Sequence, residues 1–236
     1  MTKGFGILLL VLASVTPALA DDAAADFSVA SNPNGVWTYY GAGEVLPDSS
    51  ANCYGVVGVA CWNNGNPGIP NNASISVNNT GSPIAYNGTV TLASGQFDLD
   101  PEATGSVIVA WTAPSTGNYS VSGYFSGLDT TGNPHPAEVF VAGSMTDLFS
   151  YTIDTGKTYD FSFVLAATAG EVLDFEVDTG DTNGYYLGTG FNVDIDPTGV
   201  TPEPSSLSLF VLGLVGLAAW GYFATRRSTA DSPTQI

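Results

Sequence analysis

One histidine, two cysteines and a surplus of carboxylates are the side chains of this sequence suited to catalysis or ligation. His135 lies in Gly132-Asn133-Pro134-His135-Pro136, which reads as an exposed loop rather than as a general base held beside a nucleophile. No G-x-S-x-G elbow is present. Carboxylates are plentiful enough for a glycosidase pair, but they fall mostly in turns and on polar strand faces. The chain is expected not to be an enzyme. Cys53 and Cys61 are closely spaced, not in a C-x-x-C arrangement, and far in sequence from His135, so a disulfide is expected in an exported chain.

Two constellations point to binding. Asp174, Glu176 and Asp178 alternate along one stretch, Asp181 follows in a turn, and Asp194 and Asp196 share a face near the end of the domain. Hard oxygen ligands of this kind suit calcium, with an acidic solvent face as the alternative, since no D-x-[DN]-x-[DN]-G loop closed by Glu occurs. Sugar recognition needs exposed rings and amides, and Trp37, Tyr39, Tyr40, Tyr54, Trp62, Tyr185 and Tyr186 lie among Asn-rich loops. Trp62 in the cysteine loop, with Tyr185 and Tyr186 before the last strand, are the expected ligand contacts. The alternative for each is a structural role.

The elements that would position these residues are strands. Between Asp21 and Ser205 no extended helical period occurs. Gly, Asn, Pro, Ser and Thr clusters separate short runs rich in Val, Ile, Tyr, Phe and Thr. Strands are predicted at Asp26–Ser31, Val36–Gly41, Ser74–Asn78, Val90–Ala93, Ser106–Thr112, Asn118–Leu128, Glu138–Ala142, Leu148–Thr155, Thr158–Ala166, Val172–Asp178 and Gly190–Ile195. Alternation is clean where Tyr119, Val121, Gly123 and Phe125 share a face, and again at Phe161, Phe163 and Leu165. Val45–Pro70, with both cysteines, departs from strand spacing and is expected as a long loop pinned by the bridge. The fold class expected is all-β, an antiparallel sandwich.

Charge narrows the partners. Of 22 acidic and 4 basic residues, Lys157 is the one cation between residues 21 and 205. Such a surface repels nucleic acid and anionic lipid, which are excluded as partners.

The two ends are addresses. Lys3, the apolar stretch Gly4–Val15 and Ala18-Leu19-Ala20 form a signal peptide, residues 1–20, cut after Ala20 by signal peptidase once the secretion translocon has engaged it. An uncleaved N-terminal anchor is the alternative. At the other end Pro202-Glu203-Pro204 breaks any helix, the 18 residues 207–224 carry no charge, and Arg226-Arg227 stop the span on the cytoplasmic side. At 1.5 Å per residue that run makes about 27 Å of transmembrane helix. Residues 200–228 resemble the bacterial PEP-CTERM sorting signal, leaving 229–236 as a cytoplasmic tail and 21–199 as the exported domain. The tail is also similar to a segment named after ice-binding proteins, but no regular Thr-x-Thr repeat supports ice binding here.

The domain carries a second resemblance. Trp111-Thr112-Ala113-Pro114-Ser115-Thr116-Gly117-Asn118-Tyr119-Ser120-Val121 resembles the W-x-A-P-x-x-G-x-Y-x-V corner of carbohydrate-binding-module and galactose-binding-like sandwiches. Phe161–Val177 is similar to their penultimate strand pair, and Ser31–Tyr39 to the opening of such domains in PEP-CTERM proteins. The resemblance implies a jelly-roll-like sandwich over roughly Asp26–Asp196, with Trp111 and Tyr119 in the core. It also implies a structural calcium where first and last strands meet, for which Asp26, Asp194 and Asp196 are the candidates; no other cofactor is expected. Together the resemblances imply a non-catalytic surface or exopolysaccharide-matrix protein, trimmed by an exosortase-type protease. It would be held briefly in the inner membrane and released to the surface of a Gram-negative bacterium. The alternatives are a lectin-like carbohydrate-binding protein and a secreted glycan hydrolase.

Overall fold

The computed structural model describes residues 20–65, 72–101, 105–131, 134–142, 147–180 and 187–198. Ala18, Tyr185, Tyr186, Asp181, the 207–224 span and the sorting residues Pro202, Glu203, Pro204, Arg226 and Arg227 lie outside them. No helix among the described residues is long and apolar enough to cross a membrane.

The described residues are all-β and form a jelly-roll-like sandwich of antiparallel sheets. With strands numbered in chain order, the larger sheet runs β14 (Thr158–Ala167), β11 (Gly117–Gly127), β16 (Thr189–Thr198), β9 (Phe97–Asp100), β6 (Ser74–Asn78), β5 (Val59–Asn63), β4 (Asp48–Ser50). The short β1 (Asp21–Asp22) pairs with the far half of β16. The facing sheet runs β13 (Asp147–Ile153), β12 (His135–Val141), β15 (Val172–Asp178), β10 (Ser106–Thr112), β2 (Trp37–Gly41), β3 (Glu44–Val45). A separate hairpin pairs β7 (Ile84–Tyr86) with β8 (Val90–Leu92).

Period-2 alternation builds the core, because one face of each strand meets the other sheet. Trp37, Tyr39, Val107, Val109, Leu173, Phe175 and Val177 from one sheet pack on Ile75, Val77, Phe97, Leu99, Val121, Phe125, Phe191 and Val193 from the other. Phe175 links the layers, with ring centroids 5.3 Å from Phe191 and 6.0 Å from Phe161. Gly123 sits where a Cβ would fall 2.4 Å from the carbonyl oxygen of Asn192 and 2.7 Å from Phe161 Cζ, so β11 and β16 can approach only without a side chain there.

The Pro/Gly corner is built as expected. Trp111 and Tyr119 are buried and meet edge-to-face at 4.8 Å. The Tyr119 hydroxyl donates to Ser115 O at 2.7 Å, and the Trp111 indole N–H donates to Asp21 Oδ2 at 2.9 Å.

Three expectations need correction. Asp26–Ser31 forms no strand: side chains satisfy its backbone, with the Trp62 indole N–H donating to Ser28 O at 2.8 Å and Asn34 Nδ2 to Asp26 O at 2.7 Å. The segment expected as a long loop contains β4 and β5, the latter carrying Cys61, and both extend the larger sheet. His135 is buried at the start of β12, not exposed in a loop, and its Nε2 lies 2.6 Å from Thr189 Oγ1. The hydroxyl supplied by β16 gives the ring nitrogen a partner away from water, which the flanking prolines do not betray.

Candidate functional site

The outward face of β9 is unusual for a face turned away from the core. Phe97 and Leu99 point inward, so Asp98 and Asp100 point outward, next to Ser76 and Ser74 of β6 in register. An outward aspartate normally meets water, yet Asp98 is 1% exposed. The cover comes from two small elements. Cys53 and Cys61 are bonded, with Cα atoms 6.0 Å apart, and hold a short 3-10 turn, Cys53–Gly55, over the sheet. Tyr54 in that turn has φ +57°, a conformation disfavoured for a residue with a side chain, and its ring stacks on Tyr86 of the hairpin at 4.2 Å. The hairpin turns through Asn87-Gly88-Thr89, between the paired Tyr86 and Val90, with Asn87 and Gly88 at positive φ, a conformation Asn and Gly tolerate.

Beneath these rings lies a polar layer. The Tyr86 hydroxyl donates to Asp98 Oδ2, while Asp98 Oδ1 and Ser76 Oγ have no hydrogen-bond partner among the described residues. The Tyr54 hydroxyl and Ser74 Oγ share a hydrogen bond of 2.9 Å. Asp129 is better served: Thr89 Oγ1 donates to its Oδ1 at 2.7 Å and the Gly188 amide to its Oδ2 at 2.9 Å. A Cβ on Gly188 would lie 3.1 Å from Asp129 Oδ2 and 3.2 Å from Asp98 Oδ1, so the two carboxyls converge on that glycine.

Burial disfavours the charged form, and neighbouring carboxylates add to it. Asp98 is pushed up to about 7, first by desolvation and then by Asp129, against the opposing bond from Tyr86. Asp100 is raised by desolvation, Asp98 and Asp129, and Asp129 itself by desolvation. A carboxyl near neutrality suits proton transfer in principle, but this one is roofed by Tyr86.

Beside this layer a cleft of about 510 Å³ opens between β4, β5, the disulfide turn and the hairpin tip. Asp48, Ser49, Ser50, Asn52, Asn63 and Asn87 are among its lining residues, so hydroxyl and amide groups predominate. Asn63 is committed, accepting from the Gly65 amide at 3.0 Å, whereas Asp48 and Asn87 are exposed.

The residues expected to bind a ligand are not gathered at one place. Trp62 is a correction: it is 6% exposed, packs in the core and spends its N–H on Ser28, so it offers no stacking face. Trp37 and Tyr39 are likewise core residues. The calcium candidates do not fit a common ion. Asp26 Oδ2 accepts from the Asp22 amide and the Trp37 indole at 3.2 and 3.3 Å, whereas Asp194 sits opposite Asp22 on β16. Among the described residues no group of three or more His, Cys, Asp or Glu is arranged to hold a metal ion. Asp174, Glu176 and Asp178 do share the outward face of β15, half-buried, and Glu138 lies directly opposite Glu176. Asp174 is raised to about 6 by desolvation and then by Glu176. Sequence reasoning missed Asp98, Asp129 and the cleft. The one legible signal was Phe97-Asp98-Leu99-Asp100, whose strict alternation marks a strand despite its acids.

Comparison with known proteins bears on the two parts differently. The chain is similar in fold to a family 35 carbohydrate binding module from Clostridium thermocellum, at 13% identity, 48% of this chain, 85% of that chain and TM-score 0.32. It is also similar to a protein described as CBM4, at 16% identity, 56% and 90% coverage and TM-score 0.31. Pika GITRL aligns at 14% identity, 36% and 73% coverage and TM-score 0.26. Likenesses this loose say nothing of what the chain binds. No curated protein matches the chain. Residues 200–228 match the PEP-CTERM protein-sorting motif, which implies export, sorting through a membrane anchor and processing by an exosortase.

Proposed function

We propose that this chain is a non-catalytic exported protein whose β-sandwich is cargo for its sorting tail. The signal peptide is cut after Ala20, the 207–224 span holds the product in the inner membrane, and an exosortase-type protease cuts at Pro202-Glu203-Pro204. The sandwich then reaches the surface or exopolysaccharide matrix of a Gram-negative bacterium. The observation that carries this reading is the sorting motif itself, which begins at residue 200, just beyond the last strand residue, Thr198. The whole folded domain therefore precedes the tag. Two features support a passive role: His135 is tied to Thr189 inside the sandwich, and the carboxyl tuned nearest to neutrality, Asp98, is sealed beneath Tyr86. In cells, the wild-type chain should be recovered from the surface fraction without Arg226-Arg227, and Glu203→Ala should leave it in the membrane at full length. Identical fractionation of the two by mass spectrometry would sink the reading.

A second reading, binding of a neutral glycan, is favoured by the polar cleft between Asp48 and Asn87. Hydroxyl and amide groups read sugar hydroxyls, and no lining residue named there is cationic, which disfavours anionic sugars. On a glycan array, Asp48→Ala combined with Asn87→Gly, which keeps the turn, should abolish any binding; retention excludes the cleft.

A further inference from the structure

Edge strands are where a sandwich must protect itself, because their unpaired backbone groups are templates for another chain. Three of the four edges here are blunted. β4 has three residues and β3 two. β13 has seven, and its ladder with β12 is broken by a register shift between Val139 and Phe140. β14 is different. It has ten residues in regular register with β11, and among the described residues its other side pairs with nothing. Its outward residues are Thr158, Asp160, Ser162, Val164 and Ala166, with one charge, no lysine and no proline.

The surface around β14 is also apolar. Val164 is 69% exposed, Tyr151 51% and Leu148 42%, so three of the five large hydrophobics exposed among the described residues lie on β14 and its neighbour β13. Ring contacts join these two edges into one surface: Tyr151 meets Tyr159 at 4.2 Å and Phe149 meets Phe161 at 5.3 Å.

We propose that this open side of the sandwich associates with a second copy of the chain, β14 pairing antiparallel with its counterpart so that the larger sheet continues across a two-fold axis. A two-fold makes one edge complementary to itself, so nothing beyond this chain is required. Charge decides the register. The domain is strongly acidic, and a pairing that brought the two Asp160 side chains together would repel. A two-fold at Ser162 places Asp160 opposite Val164, and one at Phe163 places it opposite Ala166. At ~3.4 Å per residue the two carboxylates are then ~14 or ~20 Å apart, beyond the ~8 Å Debye length of physiological salt. Area is sufficient. A ten-residue edge is ~33 Å long and the two layers with their side chains ~20 Å deep, giving ~1,300 Å² over both copies, within the range of stable interfaces.

The test uses the full chain in a non-ionic detergent, by sedimentation velocity at about 0.15 and 0.5 M salt. The wild type should be dimeric and associate more tightly at the higher salt, where self-repulsion is screened. Val164→Asp, which sets a carboxylate opposite Asp160 or close to its own counterpart, should raise the dimer dissociation constant at least tenfold with an unchanged melting temperature, whereas Val57→Asp, at an 81% exposed site in the disulfide loop, should not. Ser162→Cys should cross-link the two copies on oxidation if the two-fold lies at Ser162, and the double variant Ser162→Cys/Val164→Cys should if it lies at Phe163, where residue 162 faces 164. A wild type monomeric at about 100 µM overturns the proposal. So does association that survives Val164→Asp, or a dimer that neither the single nor the double cysteine variant cross-links. None of these outcomes touches the sorting tail, which is tested by fractionation alone.

Discussion

The chain buries two layers on opposite faces of one sheet, and they are built on different principles. Between the sheets lie Phe97, Phe125, Phe161, Phe175 and Phe191, a ring cluster with no polar atoms to satisfy. On the outer face, under the disulfide turn and the hairpin, lie Asp98, Ser74 and Ser76 beneath Tyr54 and Tyr86. Among the described residues the first layer has one orphaned polar atom, the Tyr39 hydroxyl, and its remaining contacts are apolar. The second carries two orphaned oxygens and a carboxyl forced toward neutrality. Stability thus resides in the inner layer, and what the outer layer supplies is placement: it fixes the loops that wall the cleft.

The largest test of that division is Phe175→Ala, which empties the centre of the ring cluster. Deleting a buried phenylalanine side chain costs ~3–5 kcal/mol, so the urea midpoint should fall steeply and far-UV signal should be lost at moderate denaturant. A loss below about 1 kcal/mol would mean that the inner layer does not dominate.

A smaller effect probes the cap. Cys53 and Cys61 are eight positions apart, and closing so short a loop is worth about 2.5 kcal/mol by the chain-entropy model. Replacing both by serine should therefore destabilise less than Phe175→Ala. Because the bridge anchors Tyr54, hydrogen exchange should also rise selectively across residues 53–63 and the hairpin. Uniform loosening of the whole sandwich would erase the distinction between the layers.

Most of the inner layer was legible in the sequence and the outer one was not, although β9, which carries Phe97, was missed and the core rings Trp37 and Tyr39 were counted among candidate sugar contacts. Alternation reports which residues face away from water, and it placed Ser74–Asn78, Ser106–Thr112 and Val172–Asp178 with the observed bounds. It assumes, however, that a polar face meets solvent. Asp98 breaks that assumption because two short elements, distant in sequence from β9, fold over it. The same assumption misplaced His135, read as a loop residue from its prolines, and Trp62, read as a surface ring from its Asn/Gly surroundings. Each is buried by a partner from another strand or loop, Thr189 and Ser28 respectively. The sorting tail needed no tertiary information, since an address read by an enzyme is written in contiguous residues, and the matched span of 200–228 confirms it.

The finest test concerns the charge of the outer layer. Asp98 is raised to about 7 in the folded state, far above the usual carboxylate range that applies when unfolded. Its folded form therefore binds more protons than its unfolded form between roughly pH 4 and 7, and stability falls as pH rises through that window. The contribution is fully present below the unfolded value and lost once pH passes about 7. Asp100, Asp129 and Asp174 are shifted in the same direction, so the wild type should be more stable at pH 5 than at pH 8. Asp98→Asn keeps the shape and can still accept from Tyr86, but it carries no proton to titrate. It should flatten the slope of unfolding free energy against pH by up to about 1.4 kcal/mol per unit, one proton's worth. The flattening should be confined to that window. Parallel pH profiles for the wild type and Asp98→Asn would mean that the carboxyl is solvated, and the outer layer would then be an ordinary wet surface rather than a second buried one.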